Sequence, residues 1–582
     1  MTSSKQPSHL RAGLVVFFLA ISLLVPLISL LALGLPSLPW VFRTQRSAIL
    51  NNLIWAIGTF GGVGVGSLAV AYLTFERPRL QRLLTVTVLP VAMGASAVAV
   101  VWRLAFAFHP SYRPQIGVVN YVFTSLGLPS VSWITQEPLV NTVVLGSAMV
   151  WLGAGLAGWW LCSVISHLPA EWLTTARRYG ASKPQRFRFV AWPWIKRPLI
   201  TAVTLAVLVS LNAHTLVQVA TSGSFGTSLI EVNAWGRLFA DQQSGRGLAI
   251  ALVALLASGV VGAVGWILWQ KSVPVAPKLS NLRRGGRRSA PPASADLPDN
   301  QFSWRLLSIV EVIVLVAFVL ITLLPIIGML VTAFTPADVI RDGSWWTNRG
   351  SFTLHNLQDS LAGLDQSRGL WPAFVSSLVI TVPVVVALVA LGRYVAPWLI
   401  SLSTRLRRFI VALLVAAVFI PTSAVLFPVE AILRTLSLLG TYPAAWMSEV
   451  VVFAPLAIAA SYLFARNSGE RLIGFVAPAL VVFIAVWNDY TVALTALGNK
   501  GSQHWPLPLE LARHVGIYGE TQAPLAAGAL VAAIVPMVIA LVFGTPLMRA
   551  ISRHETVIPP DELSLKSQYD QPYDGRGEQL RL

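Results

Sequence analysis

Charge is scarce in this sequence, and its two signs are unequal. Only 11% of the 582 residues are charged, with 24 acids against 42 bases. A soluble chain of this length needs a charged shell facing water, so the scarcity argues against an ordinary soluble helical protein. Cysteine is nearly absent. Cys162 stands alone, which excludes an intramolecular disulfide and, unaided, an all-cysteine metal site. The eight histidines are scattered, without the spacing of a metal centre. No Gly-rich loop ends in Lys followed by Ser or Thr, so a nucleotide-binding loop of that type is missing. Gly61, Gly62, Gly64 and Gly66 look like one only superficially: they lie inside an apolar run, where small residues let helices pack closely.

What is abundant is apolar sequence, 55% of the chain, with a mean hydropathy of +0.69. Runs at 12–35, 48–74, 83–107, 139–163, 198–220 and 246–269 form a first block of six spans, each long enough for a hydrocarbon core of about 30 Å. A second block follows at 304–333, 372–396, 409–430, 447–465, 474–496 and 522–546. The expected fold is an all-α polytopic membrane protein of about twelve transmembrane helices in two six-helix domains. Their expected bounds are 1–270 and 304–550, with a basic linker at 271–303 and a polar tail at 551–582. The formal net charge of +18 does not indicate nucleic acid. Its cations gather in short connections, among them Arg77, Arg79 and Arg82, then Arg177 to Arg188, then Arg405 to Arg408, where they meet anionic lipid heads. All of these fall on one side if both chain ends are cytoplasmic, which is the expected topology of a multi-pass protein in a cell membrane.

The most informative connection runs from Leu168 to Pro198, between the fourth and fifth spans. Pro169 through Tyr179 reads as a short amphipathic helix with Trp172 and Leu173 beside a basic face, and Gly180 permits a sharp exit. A second short element is expected around Gln185 to Val190, stopping before Pro193. From pattern alone this is either a helix lying at the membrane interface or one that receives a push from a separate motor.

Pro169, Glu171, Ala176, Arg177, Gly180-Ala181-Ser182, Phe187, Val190, Pro193 and Pro198 resemble the coupling loop of the maltose-type sugar permeases of bacterial ABC importers. Trp102-Arg103, Asn120-Tyr121, Leu126-Gly127-Leu128-Pro129, Trp133 and Gly223 to Gly226 extend the resemblance over most of 45–270. The second block is similar to the partner subunit of that family at Phe334-Thr335-Pro336, Phe352 to Asn356, Trp487-Asn488-Asp489 and Trp505 to Leu509. The resemblance implies two permease subunits fused in one chain. It implies that Glu171, Trp172, Leu173, Thr174, Thr175, Ala176, Arg177, Gly180 and Ala181 couple to an ATPase. It implies an ABC ATPase dimer that binds the ATP and Mg, no cofactor in this chain, and an extracellular or lipid-anchored sugar-binding protein as a further partner beside membrane lipids. The substrate implied is a sugar or oligosaccharide, and the chain is not by itself an enzyme.

Two departures from the family pattern stand out. Thr174, Thr175 and Tyr179 replace the family's acidic residue, its first Ala and the Asp before Gly. Between Arg466 and Gly474, where a second coupling loop belongs, there are only seven residues, Asn467 to Ile473. One principal coupling site is therefore expected. For the solute path the candidates are Asn212, Trp487, Asn488 and Tyr490, polar or aromatic groups on the fifth spans. Arg103, His214, Glu430 and Asp489 are ionisable groups in or near spans that need protein or water beside them. A secondary transporter, which needs no motor, and a noncatalytic membrane scaffold are the competing classes.

Overall fold

A computed structural model of the chain describes residues 8–272, 301–341, 352–363, 369–467, 471–498, 502–517 and 522–555, apart from 111, 137, 138 and 179. Most of the linker, the tail beyond 555, Tyr179 and Glu470 lie outside the described residues. Every element among the described residues is helical.

Helices α1 (His9–Thr44), α2 (Arg46–Thr74), α3 (Pro78–Ala105), α4 (Val140–Ile165), α6 (Lys183–Leu211) and α9 (Ser244–Gln270) are long and apolar enough to cross a membrane. Between them lie the short helices α5 (Ala170–Arg178), α7 (His214–Thr221) and α8 (Ile230–Trp235). The second block begins with α10 (Gln301–Ala333) and α11 (Leu370–Ser401). It continues with α12 (Thr404–Val418), α13 (Thr422–Thr435), α14 (Tyr442–Asn467) and α15 (Arg471–Trp487). It ends with α16 (Thr491–Leu497), α17 (Leu507–Ile517) and α18 (Gln522–Glu555). Among the described residues ten single helices qualify as spans, and α12 with α13 and α15 with α16 form two bent pairs, at 83° and 56°, that bring the number to twelve if each pair is one span. The chain is thus an all-α, multi-spanning helical bundle.

The order of elements in the first block recurs in the second. A long helix, then another, is followed by a span broken in its middle: at Gly94 inside α3, and at residues 419–421 between α12 and α13. Each break is followed by Ser-Ala-Val, Ser96 to Val98 and Ser423 to Val425. A fifth span then breaks again, at Asn212-Ala213 and at Asn488 to Tyr490, and a short helix with a buried Glu near its start follows, Glu231 on α8 and Glu510 on α17. The first helix of each block reaches into the other: Ser22 of α1 donates to the Val451 carbonyl at 2.8 Å, and Trp151 of α4 donates to the Thr322 carbonyl of α10 at 3.0 Å.

Small residues set the closest helix approach. A β-carbon at Gly62 or Gly66 of α2 would meet Val150 or Ala154 of α4 within 2.9 Å, whereas Gly61 and Gly58 have nothing within 4 Å. The glycine-rich stretch is thus a seam between two helices.

Expectations of continuity are corrected at five places, and three are the spans expected at 83–107, 409–430 and 474–496, which break at Gly94, at 419–421 and at 488–490. The span expected at 198–220 is not one helix, because α6 stops at Leu211 and α7 starts at His214. Asn52 makes the break tolerable: its Nδ2 donates to the freed Leu211 carbonyl at 3.0 Å, and its Oδ1 accepts from the Ile230 amide at 2.8 Å. The element expected to stop before Pro193 instead runs on into the fifth span. A wider, π-type turn over Phe187–Ala191 precedes Pro193 and takes up the missing amide and the ring's bulk.

Gly94 has φ +78°, ψ 157°, and a β-carbon there would overlap the Asn488 side chain. Gly94→Ala is expected to destabilise the fold by about 1–3 kcal/mol, read as a lower melting temperature in detergent, while Gly61→Ala leaves that temperature unchanged.

Candidate functional site: an exposed end helix and a broken-helix centre

Two regions stand out, one at an end of the bundle and one at its middle. At the end, α5 lies with Glu171, Thr174, Arg177 and Arg178 exposed, Trp172, Leu173 and Thr175 half-buried, and Ala176 buried against the bundle. Acidic Glu171 in the first turn and basic Arg177 and Arg178 in the last match the helix dipole. Gly180 leaves the helix at φ +70°, and Ala181, donating from its amide to the Ala176 carbonyl at 3.0 Å, is buried beneath the turn. Ser182 and Gln185 then form a capping box, with the Ser182 amide donating to Gln185 Oε1 at 2.8 Å. Trp172 meets Trp194 edge-on at 5.7 Å between ring centres.

Two carboxylates hold this segment. Glu76, just past α2, accepts a bidentate pair from Arg186 at 2.8 Å and 2.8 Å, and Arg177 lies 3.2 Å away. Burial pushes the Glu76 carboxyl up, but the hydrogen bond and charge of Arg186, followed by those of Arg177, outweigh it and hold it below its ordinary value. Glu76 sits at φ +64°, a strained position for a side chain of its size, and these ion pairs fix it there. Glu311 of α10 accepts from Arg77 at 2.6 Å and Lys183 at 2.8 Å. Lys183 also stands over the Tyr72 ring, 4.7 Å from its centre. Among the described residues the second block has no counterpart: α14 ends at Asn467 and α15 begins at Arg471.

At the middle, the two broken fifth spans meet. His214 Nδ1 of α7 is 3.0 Å from Thr491 Oγ1 of α16, and Thr215 Oγ1 is 3.4 Å from the same hydroxyl. Trp235 of α8 donates to Thr495 Oγ1 at 2.9 Å. The His214 ring lies 6.0 Å from the Tyr490 ring and 5.7 Å from that of Trp235. Around this junction, side chains complete the broken backbone. Asn488 Nδ2 donates to the Ala92 carbonyl at 3.0 Å, next to the Gly94 break. Asp489 Oδ2 accepts from the Val492 and Ala493 amides at 2.9 Å and 3.1 Å, capping α16. Glu231 Oε1 accepts from the Ser423 amide at 2.8 Å, so a first-block carboxylate closes the break of the second block.

The path candidates separate. Asn488 and Tyr490 sit at this junction, and Asn212 ends α6 with its Nδ2 donating to the Leu208 carbonyl at 2.9 Å. Trp487 turns away, buried beside Phe374 and Phe483 with its indole donating to the Ala532 carbonyl at 3.1 Å. Arg103 donates to the Ala220 carbonyl at 2.6 Å near the C-terminus of α7, and Glu430 pairs with Arg434 one turn on. Reading the sequence missed Glu76, Glu231 and Glu311. Their signal was the scarcity of acids itself, since each is an isolated carboxylate beside an apolar run or a break. Among the described residues no three His, Cys, Asp or Glu side chains gather as a metal site.

No family model matches the chain. It is 29% identical over 215 residues to an osmoprotective compounds uptake permease protein of Synechocystis sp., a match covering 37% of this chain and 76% of the relative. It is 28% identical over 228 residues to a probable ABC transporter permease protein of Pyrococcus horikoshii, covering 38% of this chain and 75% of that one. These matches support the general ABC-importer permease family. A third relative, an alpha-glucoside transport system permease protein of Rhizobium meliloti, is 26% identical over 231 residues, covering 38% of this chain and 67% of the relative. Each of the three thus takes up less than half of this chain while most of its own length is matched.

Glu76→Gln is expected to cost about 2 kcal/mol and to speed amide exchange over residues 170–186. In the unaltered protein the contribution of Glu76 is fully present above its ordinary value of 4.5 and is lost as pH falls through the lowered folded value. The same speeding of exchange is therefore expected only below pH 4.5, and its onset above that pH contradicts the assignment.

Proposed function

We propose that the chain is two maltose-type permease subunits fused in one, the halves being 1–270 and 304–550, and that together they form the translocation pathway for a sugar or oligosaccharide. The observation that carries the reading is the exposed helix α5 at one end of a bundle whose element order repeats, held by Glu76 through Arg177 and followed by a segment that Glu76 and Glu311 hold through Arg186 and Lys183. A helix so placed offers Glu171, Trp172, Leu173, Thr174, Thr175, Ala176, Arg177, Gly180 and Ala181 as the seat for an ABC ATPase dimer that binds the ATP and Mg. The relatives' named cargoes, an alpha-glucoside and osmoprotective compounds, support a polyhydroxylated solute. An external sugar-binding protein, soluble or lipid-anchored, delivers it, and both chain ends lie in the cytoplasm of a bacterial cell. Fusion holds the two halves at one to one and at high effective concentration.

The mechanism follows from the breaks. Closing of the ATPase dimer on ATP displaces α5, and the motion reaches the centre through α6, which is continuous from Lys183 to the break at Leu211. There the halves are held by single hydrogen bonds, His214 to Thr491 and Trp235 to Thr495, which can exchange for bonds to solute hydroxyls. Asn212, Asn488 and Tyr490 offer amide and hydroxyl groups to the sugar, and Trp487 buttresses the same turn. Hydrolysis resets the pathway, so binding and chemistry are coupled through two global states.

The test is reconstitution of the chain in liposomes with its ATPase and binding protein. Solute-stimulated ATP hydrolysis and uptake are expected. Uptake that follows an ion gradient without ATP overturns the reading in favour of a secondary transporter. Deleting 170–190 is expected to abolish the stimulation, whereas altering Glu470 or Arg471 lowers it less; equal losses contradict a single principal coupling site.

A further inference from the structure

A single coupling helix raises a mechanical question, because alternating exposure requires both halves to move. The only carboxylate of the second half that the structure places against the coupling segment is Glu311, among the described residues. It lies on α10, the helix that opens the second half, yet its partners are Arg77, between the second and third spans, and Lys183, which starts the helix leaving the coupling segment. All three side chains are mostly buried, at 15–23% exposure, so the pair is little screened by salt. Lys183 is 128 residues from Glu311 in sequence, and no hydrogen bond of the local backbone dictates the meeting. From Glu311 the same helix runs through Thr322, whose carbonyl accepts from Trp151 of the first half, to the end of α10 at Ala333. There Asn356 of the second half completes its backbone, donating to the Ala333 carbonyl at 3.0 Å.

We infer that Glu311 is a positioning residue that passes the movement of the one coupling helix to the half that lacks its own. Glu76 holds the coupling segment to the first half, and Glu311 ties the same segment to the second. Glu76 takes Arg177 and Arg186 of the coupling segment, and Glu311 takes Lys183 of the same segment together with Arg77 of the neighbouring connection, so a displacement of α5 pulls on both halves together. In a permease with two coupling helices such a bridge is redundant; here it replaces the second helix. The inference rests on the ATP-driven reading above.

The experiment compares the whole chain and its variants, reconstituted with ATPase and binding protein, by the number of solute molecules taken up per ATP hydrolysed. Glu311→Gln is expected to lower that ratio about fivefold or more while solute still stimulates hydrolysis. Glu311→Lys alone lowers it similarly, and Glu311→Lys combined with Lys183→Glu restores it. Packing defects do not recover on charge exchange, so the rescue separates transmission from a structural role. Melting temperature and gel-filtration profile in detergent identify any variant that has failed to fold, and for such a variant Glu311→Asp, expected to keep most of the ratio, takes its place. A ratio unchanged in Glu311→Gln, or no rescue in a folded double variant, overturns the inference and leaves the ATP-driven reading standing. Absence of solute-stimulated hydrolysis in the unaltered chain overturns both.

Discussion

Hydrocarbon offers no hydrogen bonds, so every backbone group freed by a helix break inside the membrane must find a partner within the protein. The structure is organised around that constraint. Among the described residues four spans are interrupted, and side-chain amides and carboxylates stand at the interruptions: Asn52 at Leu211 and Ile230, Asn488 at Ala92, Asp489 at Val492 and Ala493, Glu231 at Ser423. Asn51 does the same outside the spans, donating to the Gly226 and Ser228 carbonyls at 2.7 Å and 3.0 Å. Two of these bonds, Asn488 to Ala92 and Glu231 to Ser423, cross between the halves. The breaks therefore make the interface, and the interface makes the breaks affordable.

That arrangement also explains how a rigid helical bundle can move. Continuous spans with small-residue seams, such as α2 against α4, transmit force without changing shape. Where the broken spans meet, apolar packing is supplemented by a few hydrogen bonds between His214, Thr215, Trp235, Thr491 and Thr495, which are individually weak and can exchange. In the proposed reading, an external motor acts through stiff outer elements on these exchangeable bonds to switch one state for another. The asymmetry lies at one end of the bundle, where the proposed reading has force enter. Among the described residues only the first block has an exposed helix like α5 there, and ion pairs join its segment to the other block.

Much of this was legible in the sequence, and for a clear reason. Long apolar runs are unambiguous, so the twelve spans were expected at nearly the places where the ten helices and two bent pairs occur. The coupling segment was visible because Trp172, Leu173, Arg177 and Gly180 combine an amphipathic face with a sharp exit. The breaks at Gly94 and Asn212 were not visible, since a glycine or asparagine within an apolar run reads equally well as helix interior; what decides is a distant partner such as Asn488 or Asn52. The roles of Glu76, Glu231 and Glu311 were hidden likewise, because a carboxylate's partner lies far along the chain. Trp487 was assigned to the solute path on its type alone, whereas its neighbours Phe374, Phe483 and Ala532 turn it into the second half's core.

The central claim, that force enters through one helix, is tested most directly by site-specific crosslinking to the ATPase in the assembled complex. Cys162, the one native cysteine, is buried and does not compete with an introduced thiol. A bifunctional thiol reagent should link Thr174→Cys to the ATPase, with little product from Asn467→Cys at the end of α14. Equal yields from the two positions contradict the account.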